Sequence, residues 1–270
     1  MAKVTFETLN PNAPLFSELK SGNYSWWENI KNDSRLYIEI RKDNYINVYF
    51  EGGNVAKLEY RSKDNTIQTS THSKYLHGNG DDYVECSLDK DLETIITNIR
   101  KYYSKTEDED KKEKEEWSEK YIQSQYIIKY HSNYIDSEFA YKDDSFDIRI
   151  DLIECINGEL RFVELKTIDD SRMLKRNDDN PEVVEQVKAY NKFIYEYEKE
   201  IIKYYDKIWT IKNELGLIIP EKRPSSLAKK PLLLIFNRWT KSTPRRNEHT
   251  YRMEEILRNI DIDYKITSEI

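Results

Sequence analysis

The chain reads as a mixed α/β protein in two parts: an antiparallel β-meander, then an α-β-β-β-α-β-α-β succession. Three observations predict this. Residues 146–166, F-D-I-R-I-D-L-I-E-C-I-N-G-E-L-R-F-V-E-L-K, form two apolar-rich runs joined at Asn157-Gly158. Asn and Gly both accept the positive φ of a type I′ turn, so this stretch is a hairpin. Residues 36–60 hold three runs that alternate with period two, L-Y-I-E-I-R, N-Y-I-N-V-Y-F and N-V-A-K-L-E-Y. Alternation of that kind marks strands with one buried face. After Pro181, residues Val183, Val187, Tyr190, Ile194, Tyr197 and Ile201 recur at spacings of three and four, which predicts a long amphipathic helix.

Composition sets the outer bounds. A chain of 270 residues suffices for one large domain or two modest ones. Charged residues make up 34% and apolar ones 38%, so the 21 tyrosines must supply much of the remaining core area. There is no run of 18 apolar residues to span a membrane. The start, M-A-K-V-T-F-E, lacks the apolar centre of a signal peptide. Cys86 and Cys155 make no disulfide framework, and together these features lead us to expect a reducing, cytoplasmic setting. The net charge of −7 counts against nucleic-acid binding unless positive charge is concentrated locally. It is concentrated: Lys222, Arg223, Lys229, Lys230, Arg238, Lys241, Arg245 and Arg246 fall within 25 residues. They are candidates for gripping phosphates, or else a solvated loop.

Taken in order, residues 1–33 are mixed, with Pro11, Pro14 and the pair Trp26-Trp27. The tryptophans are expected to anchor a small core, with stacking on bases as the alternative. Asp43-Asn44 and Gly52-Gly53 break the three strands. Residues 71–87 read as a loop. Its His72 and His77 lack CxxC or HxxxH company, so no metal site is expected there. Residues 89–104 read as helix. Ser104 to Glu116 is almost wholly charged with mixed sign, which suits a solvated linker. It divides an N-terminal domain, 1–105, from a second, 106–270. Trp117, Tyr121, Ile122, Gln125, Tyr126 and Ile128 then give a helical stripe ending near Asn133. The strand Y-I-D-S-E-F-A-Y and the hairpin follow. The long helix is expected to begin at Pro181 with Asn180 as its cap. A Pro/Ser/Lys loop over 220–231 leads to a buried strand, P-L-L-L-I-F-N-R-W, a helix over 248–260, and a last strand, I-D-Y-K-I.

The chemistry concentrates on the hairpin. Glu164 and Lys166 are two apart, so both leave the same face of their strand. Asp151 lies at a similar height on the partner strand. Two carboxylates and an ammonium meeting at one end of a hairpin suit a hard divalent cation with oxygen ligands. An acid two residues before a lysine is common here, as at Glu18–Lys20, Glu109–Lys111 and Asp263–Lys265. What distinguishes Glu164–Lys166 is its apolar strand, V-E-L-K, where an unpaired charge is costly. Gln186 and Tyr190, four apart, share a face of the following helix. The plainer readings are a cross-strand ion pair on a solvated face and an ordinary amphipathic helix. Glu138, on the preceding strand, is read as solvated, with membership of the acid cluster as the alternative.

With R-I-D-L-I, V-E-L-K and Q-V-K-A-Y in this order of elements, residues 115–270 resemble the PD-(D/E)xK nuclease superfamily, the last motif being similar to the Q-x-x-x-Y box of its RecB-like members. The resemblance implies a restriction-endonuclease-like αβββαβ core. It implies Asp151 as the motif aspartate, Glu164 as the second acid, Lys166 as the motif lysine, and Gln186 and Tyr190 as the helical box. Ile150 stands where the family name has proline. Glu119 is the candidate for a first-helix glutamate. The resemblance further implies Mg²⁺ or Mn²⁺ held by Asp151 and Glu164, with Glu119. Lys166 would orient or deprotonate the attacking water, the second role requiring a depressed pKa. The implied activity is phosphodiester hydrolysis, of DNA, in restriction, defence or repair, with a homodimer possible and the N-terminal meander recognising substrate or mediating dimerisation. The alternative is a catalytically inactive nucleic-acid-binding or oligomerisation module on the same fold.

Overall fold

A computed structural model describes residues 6–22, 24–103, 118–173, 181–239 and 241–269. The charged run 104–116, Trp117 and the expected Asn180 cap lie outside the described residues. The first part holds α1 (Pro14–Lys20), α2 (Ser25–Asn32), β1 (Tyr37–Arg41), β2 (Tyr45–Phe50), β3 (Gly53–Arg61), β4 (Thr66–His72), α3 (Ser73–Leu76), β5 (Tyr83–Glu85) and α4 (Leu88–Tyr103). The second holds α5 (Glu119–Lys129), β6 (Tyr134–Lys142), β7 (Asp147–Ile156), β8 (Glu159–Thr167), α6 (Glu182–Glu214), β9 (Ser226–Leu227), β10 (Leu232–Phe236), α7 (Pro244–Asn259) and β11 (Tyr264–Thr267).

The first sheet is an antiparallel meander in the order β1-β2-β3-β4-β5. Residues 71–87, expected to be a loop, supply α3 and β5. Period two makes the sheet two-faced. Ile38, Ile40, Ile46, Val48 and Leu58 enter the core on one face. On the other, the register aligns Glu39, Asn47, Lys57, Ser70 and Glu85 in one row. The β2–β3 turn falls at Glu51 (φ 45°) and Gly52 (φ 84°), one residue earlier than Gly52-Gly53. Glycine is required at 52, because a Cβ there would lie 2.8 Å from the Lys120 carbonyl oxygen of α5.

The second sheet runs β11-β10-β8-β7-β6, with β9 also on β8. β6, β7 and β8 are antiparallel, and β8, β10 and β11 parallel. The predicted hairpin is present: Ile156 pairs with Glu159 across Asn157 (φ 54°) and Gly158 (φ 87°). The central strands are covered on both faces, which is why they read as continuous apolar runs. Val163, Leu165, Leu234 and Phe236 pack with Ile122 and Tyr126 of α5. Phe162 and Leu160 share a cluster with Phe193 and Ile194 of α6. Leu233 and Ile235 meet Val183 and Val184 of α6 and Met253 and Leu257 of α7.

The helix α6 ties the halves together. It begins at Glu182 with Pro181 as its cap residue, and runs 33 residues, about 50 Å if straight, bending at Tyr197 (φ −114°, ψ 20°). One buried cluster joins Ile40, Val48 and Ile96 to Phe139, Phe162, Tyr205 and Ile208. The 105/106 division separates the sheets in sequence, while the core runs across it. Trp27 is buried in that cluster and Trp26 packs against it, so the pair anchors core. The helix expected over 248–260 starts earlier, at Pro244, where the Thr243 hydroxyl accepts from Arg246 N. No helix among the described residues is long and apolar enough to cross a membrane.

Candidate active site

The hairpin register sets Asp151 level with Glu164. Leu152 pairs with Val163, and one step further the Asp151 carboxylate replaces the ladder, Oδ2 accepting from Leu165 N at 2.8 Å. Gln123 of α5 donates to the Asp151 carbonyl at 2.6 Å, which docks the helix on this strand. Glu119, in the first turn of α5, is thereby carried to the same place.

The Lys166 ammonium is the meeting point. It bonds Glu164 Oε1, donates to the Leu165 carbonyl at 2.9 Å, and lies 3.5 Å from Glu119 Oε1 and 3.9 Å from Asp151 Oδ2. Glu164 and Lys166 side chains are 2% and 1% exposed, while Asp151 and Glu119 are 29% and 30% exposed. The cluster therefore has a sealed floor and a mouth open to solvent. The helical pair completes the floor. Gln186 Nε2 donates to the Tyr190 hydroxyl at 2.7 Å, and the single proton of that hydroxyl is within reach of Glu164 Oε2 at 2.7 Å and of the Arg149 carbonyl. Four-residue spacing on α6 thus braces Glu164 from behind. Arg172, which the sequence reading did not single out, bonds Asp170 at 2.6 Å and Glu119 Oε2 at 3.4 Å at the mouth.

Electrostatics follow from this geometry. Burial, then the neighbouring Glu164, push the Asp151 carboxyl up to about 7 against the pull of Lys166. Burial also raises Glu119. For Lys166, burial favours the neutral amine, but Glu164, Asp151 and Glu119 together outweigh it and raise the pKa. In this arrangement the charged form of Lys166 is favoured, which suits the orienting role expected of it better than the deprotonating one. Burial first, and Glu164 second, keep Tyr190 protonated as a donor.

Among the described residues no group of three or more His, Cys, Asp or Glu side chains is spaced as a ready ligand set for a metal. The ammonium sits where the carboxylates converge. The donor chemistry fits a hard cation even so. The groups are all oxygen, two of the acids reach the mouth, and Mg²⁺ commonly takes only one or two carboxylates beside water and phosphate.

The other candidates scatter. The basic residues fall in two places. Lys222, Arg223, Lys229 and Lys230 lie at the Gly158 end of the hairpin, where Ser225 N bonds the Gly158 carbonyl and Ala228 N that of Leu160. That is about 23 Å along β8 from Lys166. Arg238, Lys241, Arg245 and Arg246 follow β10, at the Lys166 end, since Ile235 pairs with Lys166. Four of the eight are neutralised locally: Arg223 by Asp206, Lys229 by Glu198, Lys230 by Asp261 and Arg238 by Asp169. They do not make one patch. His72 accepts from Lys74 N within its own turn. Glu138 is exposed and pairs with Lys120 at 3.2 Å.

A second buried charge network escaped the sequence reading. Lys212 of α6 bonds Glu39 Oε2 at 2.7 Å, and Arg41 bonds Asp136 Oδ1 at 2.8 Å, with Ser137 and Tyr205 joining at 3.0 and 3.2 Å. Burial raises the Asp136 carboxyl against the pull of Arg41, and the neighbouring Glu39 carboxylate adds to the rise. Its signal in the sequence is Glu39-x-Arg41 within the apolar run Y-I-E-I-R, the same cue that marks Glu164-x-Lys166. No protein-family profile, curated protein or solved structure matches this chain.

Proposed function

We propose that this chain is a divalent-cation-dependent nuclease that hydrolyses phosphodiester bonds of DNA, built on a restriction-endonuclease-like core. The observation that carries the reading is the convergence of Asp151, Glu164 and Glu119 on Lys166, with Gln186 and Tyr190 holding Glu164 in place. Hydrolysis of a phosphodiester needs a nucleophilic water and relief of negative charge. Asp151 and Glu164, with Glu119 at the mouth, would hold Mg²⁺ or Mn²⁺, which when bound supplies a lowered water pKa and a polarised phosphoryl oxygen. Lys166 would contribute positive charge beneath the site, balancing Glu164, Asp151 and Glu119 and holding Glu164 in place. The Tyr190–Gln186 pair fixes the rotamer of Glu164, and Arg172 offers a planar donor to phosphate at the mouth.

The internal neutralisation of the cluster, with every acid already near Lys166 or Arg172, favours a second reading: a non-catalytic nucleic-acid-binding or oligomerisation module in which the ion network is structural. A cleavage panel separates the two. It uses single- and double-stranded DNA and RNA, with Mg²⁺, Mn²⁺ or chelator, and Lys166→Ala and Asp151→Asn as controls. Metal-dependent cutting lost in both variants supports the nuclease. Cutting that survives both overturns the site. Absence of cutting together with absence of calorimetric Mn²⁺ binding selects the second reading.

A further inference from the structure

The first sheet reaches the candidate active site through one turn. The connection between β2 and β3 lies, at Gly52, against the first turn of α5, which carries Glu119. We propose that Gly52 is a positioning residue of the active site: its bare backbone seats the start of α5 and so holds the Glu119 carboxylate between Lys166 and Arg172.

The contact leaves no room for a side chain. A Cβ at Gly52 would lie 2.8 Å from both the Cβ and the carbonyl oxygen of Lys120, and 2.9 Å from its carbonyl carbon. Carbon atoms in favourable contact are about 3.5–4.0 Å apart, and none of these three atoms is a side-chain end that could swing away. The turn cannot retreat either, because α4 stands behind it. A Cβ at Gly53 would lie 2.5 Å from Cγ2 of the buried Ile99, and Glu51 pairs with Arg100 at 3.2 Å. The turn is wedged between α4 and α5. Its backbone conformation does not by itself demand glycine. Gly52 has φ 84°, and asparagine accepts positive φ, as Asn157 does at 54°. The closeness of α5 is what demands glycine.

Glu119 has little slack. Its Oε1 is 3.5 Å from Lys166 Nζ and its Oε2 is 3.4 Å from Arg172, the long end of direct contact. Further along, α5 is fixed by other means: Gln123 donates to the Asp151 carbonyl, and Ile122 and Tyr126 pack with Val163 and Leu165. The end that precedes these anchors is the part Gly52 steadies. Groups in a working site must be held to within about 0.5 Å. Pushing Lys120 back by that much carries its neighbour Glu119 out of reach of Lys166. The first sheet thus has a share in the site that neither substrate recognition nor dimerisation requires.

That Glu119 serves a cation rests on the nuclease reading; that Gly52 seats Glu119 does not, and two measurements keep these apart. All variants are made in the full chain and checked for folding by circular dichroism. Gly52→Asn adds the Cβ with a residue type that accepts the backbone conformation. Gly78→Asn is its control, with φ 79° and nothing within 4 Å of the new Cβ. Gly53→Ala, at a position without positive φ, presses the turn onto α5 from the Ile99 side and serves if Gly52→Asn does not fold. Calorimetry follows Mn²⁺ binding. Gly52→Asn should weaken it about tenfold, the scale on which a ligand's supporting contact matters, and Gly78→Asn should leave it unchanged. Glu119→Gln should weaken it too, and the double variant no more than Glu119→Gln alone. Thermal melts in chelator read the seating of Glu119 without a cation. Glu119→Gln should shift the midpoint in the wild-type chain and not in the Gly52→Asn chain. No Mn²⁺ binding by the wild type, with that melting pattern, would remove the nuclease and leave Gly52 its role. Undiminished Mn²⁺ affinity in Gly52→Asn, a loss that adds to that of Glu119→Gln, or a Glu119→Gln shift that is absent from the wild type or equal in both chains, overturns the proposal.

Discussion

Replacing Lys166 by methionine keeps the length of the side chain and removes its charge. The structure gives the size of the effect. Glu164, 2% exposed, keeps its bond from Tyr190 but loses its ion-pair partner, and Asp151 and Glu119 lose a positive charge at 3.9 and 3.5 Å. Removing one member of a buried pair costs about 3–5 kcal/mol. At about 2 °C per kcal/mol for a chain of this size, the midpoint of thermal unfolding falls by about 6–10 °C near pH 7.5. The pH dependence sharpens the test. Asp151 has its pKa pushed up to about 7 in the folded protein, against about 3.9 unfolded. The folded state therefore holds the proton more tightly, and stability falls as pH rises from about 4 to 7. Lys166 opposes that shift, so its loss steepens the slope. The deficit of Lys166→Met should shrink at about pH 5, where its neighbours take up protons. Thermal melts followed by circular dichroism at the two pH values measure this. A loss under about 2 °C at both, or a larger deficit at the lower pH, would refute the buried-cluster account.

Two further outcomes follow from other parts of the fold. Lys212→Met strands the buried Glu39 carboxylate and leaves the Ile135 carbonyl without its 2.7 Å donor. It should cost about 3–5 kcal/mol in urea unfolding, and an equal stability to wild type would show that this network does not join the sheets. Gly158→Ala combines φ 87° with a Cβ 2.9 Å from the Arg223 carbonyl oxygen, and should cost about 1–2 kcal/mol or more. Gly22→Ala is its control: φ 74°, with nothing within 4 Å of the new Cβ, so the backbone strain appears there without the clash. Similar losses in the two variants would mean that the Arg223 contact yields.

What the sequence determined by itself is what short-range geometry controls. The Asn157-Gly158 turn forces the β7–β8 pairing, and a period of two then brings Asp151, Glu164 and Lys166 to one end. A period of 3.6 puts Gln186 and Tyr190 on one face. The order of helices and strands in the second half follows from the same two periods. Tertiary structure decided the rest, because layer packing joins residues that no local period relates. Glu119 reaches Lys166 from 47 positions away, and only the docking of α5 places it there. Glu39 and Lys212 are 173 apart, and the long α6 brings them together across a boundary that composition alone suggested. The eight basic residues, adjacent in sequence, part to opposite ends of β8 because the chain crosses the sheet between them. The raised pKa of Lys166 has the same origin: carboxylates that arrive on three separate elements, β7, β8 and α5, outweigh its burial.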